Sequence, residues 1–392
     1  MIDDVLSWCE VSTGALTHNA RELERRVGPA RLGSVVKADA YGHGLALAAR
    51  AFLSAPIRPP WLVVNALEEA EALRRAGLDE APIYIVGPVA PFMAARVVAC
   101  GARLVVYDPE LVSALGAAAR EAGSVVPVHV KVETGNHRQG LEPADAVALA
   151  RVAAATPGLV VEGLTTHYAD IEDTTDHRFA MGQLERFEQT LAAIRAAGIE
   201  VPIPNHANSA ATILWPRTHA ALVRVGLAAY GHWPSPQTYA SALALEREER
   251  DGRGGYLPDL RPALAWRARL AQVKIVPAGS WIGYGRTFRT THTSRIGIVP
   301  VGYHEGYDRR LSNLAHALVD GVRAPVRGRV CMNMTMIDVT DVPAARAGSI
   351  VTLLGADGDE RVSAEDLARW MGTINYEVVS RIHPGQRRVP AP

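Results

Sequence analysis

The residue in this sequence best suited to chemistry is Lys37, which ends the short apolar run 34–36 and is followed by small residues and glycines. The run predicts a buried strand, and an ammonium group at its end is costly to bury unless it is paired or neutralised. Condensation with an aldehyde neutralises a lysine as a Schiff base. The alternative is a lysine whose side chain extends from the strand end to the surface. The rest of the chain decides between the two.

The elements that must position Lys37 follow from an alternating pattern over about the first 240 residues. Short apolar runs alternate with stretches rich in Ala, Glu and Arg, such as 67–75 and 183–191. The runs lie near 33–37, 61–65, 82–86, 103–107, 126–132, 159–164, 201–205 and 221–226. Such alternation predicts parallel βα units, and eight of them close a barrel. The predicted fold class is therefore α/β, a (β/α)₈ TIM-type barrel at residues 10–240.

The pattern changes after residue 240, where a mostly-β C-terminal domain is predicted at 241–392, joined by residues 1–9. Strand-like runs lie at 264–276, 295–301, 316–330, 335–339 and 350–354. The Pro-, Gly- and charge-rich stretch 234–262, with an insertion at 246–262, predicts a linker or solvated loop. Residues 363–366 read as a capping box that opens one late helix.

Composition narrows the class of protein. The chain has 392 residues, and Lys plus Arg equals Asp plus Glu at 41 each, so nothing favours a nucleic-acid or membrane-surface partner. Three cysteines are too few for a disulfide framework and suit a reducing compartment. No signal peptide is visible and no apolar run approaches the length of a membrane span. The sequence therefore predicts a cytoplasmic, soluble protein. No metal site is predicted.

Polar side chains stand where the predicted strands end, and in a parallel barrel these ends share the face that carries the active site. They are Lys37, Tyr41, Lys131, Arg138, His167, the segment 205–209, and Arg224 with Gly226 and Leu227. The loops after the seventh and eighth strands commonly bind phosphate, and Ser209 and the 226–227 backbone offer donors there. A Schiff-base lysine beside a phosphate site indicates pyridoxal phosphate.

Each of these residues also has a structural alternative. His167 could be a core histidine with its hydrogen bonds satisfied, and the two arginines could be surface ion-pair partners. Asn208 and Ser209 could cap the next helix.

The sequence resembles the alanine racemase family, the fold-type III pyridoxal phosphate enzymes, over nearly its whole length. The most specific matches are the segment around Lys37 and Gly283-Tyr284-Gly285. The matching segments are 35–44, 131–135, 138–140, 206–209, 224–227, 230–231, 283–285, 301–303, 311–313 and 331–332.

The resemblance implies a two-base mechanism, in which Lys37 serves D-alanine and Tyr284 serves L-alanine. A lysine amine and a tyrosine phenol ordinarily titrate near pH 10, so positive charge from His167 and the arginines is expected to favour their basic forms. The implied cofactor-binding residues are Lys37, Tyr41, His167, Asn208, Ser209, Arg224, Gly226, Leu227 and Tyr376. Arg138 and the backbone of Met332 match the substrate-carboxylate site.

The resemblance also implies a carbamate on Lys131 and a head-to-tail homodimer in which Tyr284 acts across the interface. The alternative for Tyr284 is a tyrosine stacked within the β domain. The expected role is supply of D-alanine for peptidoglycan.

Several positions depart from the commonest family motif: Glu133, Asn136, His304, Glu305 and Asn333. These departures leave substrate preference open, since a small pocket discriminates weakly among small side chains. The alternatives are a racemase of broader specificity, for example toward serine, and a non-catalytic pyridoxal phosphate-binding protein. A decarboxylase is disfavoured by Arg224.

Overall fold

The computed structural model describes residues 2, 4–55, 58, 60–248 and 257–391. The chain forms two units. The barrel unit comprises residues 15–37 and 48–261, and the β unit comprises residues 1–14, 38–47 and 262–392. The boundaries expected from the sequence, 10–240 and 241–392, follow changes in residue pattern rather than contacts, and they stay a prediction.

The helices and strands are numbered along the chain. The helices are α1 (Thr13–Val27), α2 (Lys37–Tyr41), α3 (Leu45–Ser54), α4 (Leu67–Arg75), α5 (Ala94–Cys100), α6 (Pro109–Glu121), α7 (Pro143–Ala155), α8 (Arg178–Ala196), α9 (Ser209–Leu214), α10 (Pro236–Glu248), α11 (Ala364–Met371) and α12 (Asn375–Ser380). The strands are β1 (Ser7–Ser12), β2 (Arg31–Val35), β3 (Trp61–Val64), β4 (Ile83–Ile85), β5 (Arg103–Val106), β6 (Val126–Lys131), β7 (Leu159–Thr165), β8 (Leu222–Val225), β9 (Leu264–Arg269), β10 (Gln272–Val276), β11 (Trp281–Ile282), β12 (Phe288–Arg289), β13 (Ser294–Val299), β14 (His316–Val319), β15 (Val322–Pro325), β16 (Thr335–Asp338), β17 (Ile350–Asp357), β18 (Glu360–Val362) and β19 (Arg387–Ala391).

The barrel unit is built on one seven-stranded sheet with the order β7-β6-β5-β4-β3-β2-β8. All of its pairings are parallel. Strands buried on both faces read as continuous apolar runs, and Trp61–Val64 is buried at every position. The predicted TIM-type α/β fold with a mostly-β C-terminal domain is confirmed. The helix predicted over 67–75 is α4, and 183–191 lies within α8.

The seventh predicted strand, 201–205, is not a regular strand, although its backbone bonds to β7 at the remaining position of the barrel. The N–H groups of Ile203 and Asn205 donate to the carbonyls of Glu162 and Leu164 in β7, both at 2.9 Å. Further on, Arg224 of β8 donates its N–H to Ala207 O at 2.9 Å. The ladder is incomplete because residues 202 and 204 are prolines, which carry no N–H.

The β unit holds a seven-stranded sheet, β15-β14-β17-β9-β1-β19 with β18 on β17. A three-stranded sheet, β10-β13-β16, and the pair β11-β12 complete the strands described in this unit. β1 pairs antiparallel with β9 and parallel with β19. The capping box predicted at 363–366 is confirmed, because Ser363 and Asp366 exchange side-chain and backbone hydrogen bonds at the start of α11. No helix in the described ranges is long and apolar enough to span a membrane.

Two sequence predictions about these elements are wrong in detail. The run 264–276 is two strands, β9 and β10, in different sheets. The predicted loop 234–262 contains α10, which begins with a proline at its first position and continues through residues that favour helix. Residues 249–256 of the predicted insertion lie outside the described residues.

The segment after Lys37 is a left-handed turn. Residues 38–41 have φ between 51° and 55°, a conformation that costs a non-glycine residue about 1–2 kcal/mol. Asp39 stabilises the turn, because its Oδ1 accepts from the Leu45 N–H at 2.8 Å. Gly42 follows with φ 80°, and a Cβ there would lie 2.0 Å from Val379 O, so only glycine fits.

Arg388 in β19 holds this turn in place. Its Nε donates to Gly42 O at 3.0 Å, and its other guanidinium nitrogens donate to the carbonyls of Ile382, His383 and Gln386. The side chain is only 7 % exposed and its Nη2 lies 3.7 Å from the Asp39 carboxylate. The left-handed conformation is thus stabilised by a buried cation from the other end of the chain.

Replacing Arg388 with alanine is expected to lower the free energy of unfolding in urea by about 2–4 kcal/mol, since four carbonyls, three of them in part-buried bonds, lose their donor. Arg387→Ala is the matched control, because Arg387 is 45 % exposed and pairs with an exposed Asp4. Its effect should stay within about 0.5 kcal/mol, as for other surface ion pairs. Equal losses in the two variants would contradict the role assigned to Arg388.

Candidate active site

Lys37 directly follows β2 and Val36, at the carboxyl end of a barrel strand, and is half-buried. Burial lowers the pKa of the Lys37 amine below its ordinary value of 10.5. The positive charges of Arg138 and Arg224 lower that pKa further, while Glu69 opposes them. The neutral amine, which is the form that attacks a carbonyl, is therefore favoured here.

Arg224 lies on β8 with 7 % of its surface exposed. Its guanidinium donates to Thr165 Oγ1 at 3.1 Å, to Thr166 O at 2.7 Å, and to Asn205 Oδ1. All three acceptors are neutral, and no carboxylate among the described residues pairs with this cation. The alternative of a surface ion pair therefore does not hold for Arg224. A buried cation held by neutral oxygens keeps its charge available for a ligand.

Lys131, Arg138 and His167 line one surface pocket, together with Glu133. Lys131 ends β6 and is 6 % exposed. Burial, with the charges of Arg224 and Arg138, lowers the pKa of the Lys131 amine to about 7. Arg138 is exposed and has no ion pair within the described part of the chain. Glu133 is the one carboxylate in this lining, and its Oε1 accepts from the Gly135 and Asn136 N–H groups. The pocket therefore presents more cationic than anionic groups, which suits an anionic ligand.

His167 does not supply the positive charge that the sequence interpretation expected of it. Burial, and then the charges of Lys131, Arg224 and Arg138, hold the pKa of His167 well below its ordinary 6.5. The imidazole is therefore neutral near pH 7. The arginines remain as the sources of positive charge on this rim.

Asn208 and Ser209 begin α9, where the next predicted donors lie. Asn208 caps the helix, because its Oδ1 accepts from the Ala211 N–H at 3.0 Å, as the structural alternative anticipated. Ser209 Oγ accepts from the Gly226 N–H at 3.0 Å. The Gly226 N–H is thus already bonded within the protein, which leaves the Ser209 hydroxyl proton free to donate. Gly226 is followed by the short 3-10 helix Leu227–Tyr230.

Tyr41 and Tyr376 are close to each other in the β unit. Their ring centroids lie 6.2 Å apart with the planes tilted by 53°. Tyr41 ends the left-handed turn and is 9 % exposed, whereas Tyr376 lies in α12. The turn and α12 therefore place two phenols, 335 residues apart in sequence, in one neighbourhood.

Tyr284 lies between the short strands β11 and β12 and is 72 % exposed. The glycines on both sides are needed for the loop: Gly283 has φ 69° and Gly285 φ 71°. A Cβ at Gly283 would lie 2.7 Å from Met336 Cε. No hydrogen bond or ring contact joins Tyr284 to another residue of the described ranges, so it is not a stacked tyrosine. Met332, also in the β unit, is 57 % exposed.

Two family models match the chain: alanine racemase, N-terminal domain, at residues 11–234, and alanine racemase, C-terminal domain, at 263–390. The chain belongs to the alanine racemase family. It is 40 % identical over 384 residues to alanine racemase from Symbiobacterium thermophilum, covering 98 % of this chain and 96 % of that relative. Membership makes the protein an isomerase of the racemase class.

Solved structures of alanine racemases have the same fold. The crystal structure from D-cycloserine-producing Streptomyces lavendulae superposes with a TM-score of 0.89 at 33 % identity, over 99 % of this chain and 97 % of that one. Alanine racemase from Bartonella henselae, solved with covalently bound pyridoxal phosphate, shares the fold at a TM-score of 0.82 and 23 % identity, covering 99 % of this chain and all of that one.

Two departures from the family motif contact each other. Asn333 Nδ2 donates to Glu305 Oε1 at 2.7 Å, and the other oxygen of Glu305 accepts from the Gly302 N–H at 2.8 Å. The sequence pattern alone did not indicate that these two positions are paired.

Sequence reasoning named Asn205 only within the segment 205–209, and it missed His129 and Glu162, which connect to Arg224 through Asn205. His129 and Asn205 are 0 % exposed, and Glu162 is part-buried. His129 and Glu162 interrupt the apolar runs of β6 and β7, which was the available signal. This signal was missed because side chains alternate between the two faces of a strand, so a single polar residue is usually taken to lie on the solvent-facing side.

Proposed function

We propose that this racemase interconverts L- and D-alanine, with pyridoxal phosphate bound to Lys37 and with Lys37 and Tyr284 as its two acid/base groups. The observation that carries the proposal is the Lys37 amine, which stands at the end of a barrel strand with a pKa lowered by burial and by nearby arginines. The same rim offers more cationic than anionic groups, so its donor set fits a phosphorylated aldehyde.

The residues proposed to hold this cofactor are Lys37, Tyr41, His167, Asn208, Ser209, Arg224, Gly226, Leu227 and Tyr376. The Ser209 hydroxyl, which accepts from the Gly226 N–H, and the Leu227 backbone suit the phosphate group. The buried Arg224 guanidinium suits the pyridine nitrogen, because it is a donor that stays protonated. When bound, pyridoxal phosphate supplies the sink for the electrons of the broken Cα–H bond.

Racemisation requires a proton to leave one face of Cα and another to arrive at the opposite face, so two groups are needed. We assign the Cα proton of D-alanine to Lys37 Nζ and that of L-alanine to the Tyr284 hydroxyl. Arg138, with the backbone of Met332, is proposed to bind the substrate carboxylate, for which a planar guanidinium is well suited. Arg138 would thereby fix Cα between the two bases.

A second copy of the chain is proposed to complete each site. Tyr284 is 72 % exposed, and Trp281, Met332 and Met334 in the same unit are each at least 50 % exposed. A base that works on a carbon acid needs a site from which water is excluded, and a single chain leaves this phenol in solvent. A head-to-tail homodimer, in which Tyr284 of the partner subunit faces Lys37, would cover it.

Lys131 is proposed to carry a carbamate that orients Arg138. Carbon dioxide reacts with a neutral amine, and the lowering of the Lys131 pKa to about 7 favours that form near neutral pH. With ¹³C-bicarbonate, the protein is expected to show a carbamate carbon signal that grows as the pH rises through 7. The signal should be absent from Lys131→Arg and retained in Lys274→Arg. An unmodified Lys131 at saturating bicarbonate would refute the carbamate.

The proposed reaction is tested by incubating the protein and pyridoxal phosphate with either alanine enantiomer and following optical rotation. Both solutions should approach the racemic mixture. If no D-alanine forms from L-alanine although a Schiff-base absorbance near about 420 nm is present, the protein binds its cofactor without racemising alanine. Supply of D-alanine for peptidoglycan, also part of the proposal, predicts growth of a D-alanine auxotroph that expresses this chain, and no growth would refute that role.

A further inference from the structure

A chain of buried and part-buried polar groups connects Arg103 to Arg224 within the barrel unit. Arg103 Nε donates to Glu162 Oε2 at 2.8 Å, and the same oxygen lies 3.0 Å from His129 Nε2. On its other side, His129 Nδ1 lies 3.0 Å from Asn205 Nδ2. Asn205 Oδ1 in turn accepts from Arg224. We infer that His129 is a positioning residue, which fixes the orientation of the Asn205 amide and through it the Arg224 guanidinium.

The direction of each hydrogen bond in this chain is determined by its neighbours. A carboxylate only accepts, so His129 must carry its proton on Nε2, where it faces Glu162. Burial, despite the opposing Glu162, lowers the pKa of His129, so the ring is neutral and Nδ1 has a free lone pair. That lone pair can only accept a hydrogen bond, and the donor is therefore the amide nitrogen of Asn205.

The orientation of the Asn205 amide then determines whether its oxygen or its N–H groups face the Arg224 guanidinium. Asn205 Nδ2 also donates to Ile203 O at 3.2 Å, so both of its N–H groups point away from Arg224. Oδ1 is left to accept from Thr165 Oγ1 at 2.8 Å and from the guanidinium. With the amide reversed, N–H groups would face the N–H groups of Arg224, and the cation would lose a buried acceptor.

The barrel is shaped to hold the imidazole in this place. A Cβ at Gly163 would lie 2.1 Å from His129 Nδ1, so the glycine in β7 makes room for the ring. The Tyr84 ring packs against the imidazole with centroids 4.4 Å apart. A fixed ring with a fixed proton is what an orienting group requires.

The inference rests on the proposed role of Arg224, and a pair of substitutions separates positioning from simple packing. In His129→Asn, the Asn oxygen takes the place of Nδ1 and can still accept from Asn205. In His129→Gln, the amide takes the place of Nε2, so the bond to Glu162 survives and the acceptor for Asn205 is lost. Gln fills more of the ring's volume than Asn, so packing alone predicts the opposite order of damage.

We expect His129→Gln to lower kcat for alanine about tenfold or more with little change in KM, and His129→Asn to stay within about threefold of the unmutated enzyme. The visible absorbance of the bound cofactor and its pH titration should shift in the Gln variant and not in the Asn variant. His219→Asn is the control, since His219 is also buried but bonds to the Thr212 carbonyl. Equal losses in both His129 variants, or none, would overturn the inference.

A measurement on the unmutated holoenzyme keeps the inference testable if the variants fold poorly. With ¹⁵N-labelled histidine, the His129 ring should be protonated at Nε2 and bare at Nδ1. The opposite tautomer would overturn the inference. Failure of the proposed function is distinguishable, because then the unmutated enzyme itself would not racemise alanine.

Discussion

Replacing Lys37 with alanine is expected to abolish racemisation of both enantiomers, with a fall in kcat of at least about 10³-fold. One side chain is assigned two tasks, the covalent bond to the cofactor and the proton transfer at one face of Cα, so its loss removes both. The visible Schiff-base band should disappear with the activity. The variant should remain folded, because the half-buried amine makes no hydrogen bond within the described residues that its removal would leave unpaired.

The small number of lysines in the chain makes the residue that forms the Schiff base easy to identify. The sequence contains three lysines, Lys37, Lys131 and Lys274. Borohydride reduction of the Schiff base followed by peptide mass analysis must therefore label one of three peptides. Lys274→Ala, on β10 of the β unit, is the matched control and should keep both the label and the activity. A label on Lys131, or a Lys37→Ala variant that still racemises alanine, would contradict the assignment.

The location of Lys37 was predictable because each short apolar run indicates a strand by itself, and the alternation of such strands with helices indicates a parallel barrel. Seven of the eight predicted barrel strands exist as strands, and each ends close to the predicted residue. The remaining one, at 201–205, shows the limit of that reasoning. Apolar residues at 201 and 203 suggested a strand, but the alternating prolines leave only every second N–H to bond.

Other features depend on contacts that no local pattern contains. The left-handed turn after Lys37 is held by Arg388, about 350 residues later in the chain. The neutral state of His167 arises from burial beside several cations, whose positions only the folded barrel fixes. Likewise, the pairing of Asn333 with Glu305 joins residues 28 apart in sequence. Residue types therefore indicated the chemistry, while charge states and orientations required the structure.

Replacing Tyr284 with phenylalanine is expected to lower kcat/KM for racemisation about 10³-fold in both directions, because the equilibrium constant fixes the ratio of the two kcat/KM values. The two proton-exchange reactions, one starting from D-alanine and one from L-alanine, should nevertheless respond differently. In ²H₂O, D-alanine should still exchange its α-proton through Lys37 without inversion, whereas exchange from L-alanine should be lost. The Schiff-base absorbance should be unchanged.

Tyr239→Phe provides the control for the loss of an exposed phenol, since Tyr239 is 43 % exposed on α10 and packs on Trp233. That variant should retain full activity. Retention of L-alanine exchange in Tyr284→Phe would show that another group is the second base.

Mixing the two inactive variants tests whether Tyr284 acts within its own chain or across an interface. In a mixed dimer of Lys37→Ala and Tyr284→Phe subunits, a site that takes its lysine from one chain and its tyrosine from the other is either wholly intact or wholly defective. Random reassortment of equal amounts should therefore restore about a quarter of the unmutated activity, because half of the dimers are mixed and each has one intact site. If each chain supplied both residues, every site would lack one base and the mixture would stay inactive. The high exposure of Tyr284 in a single chain favours the first outcome, since only a second surface can remove that phenol from water.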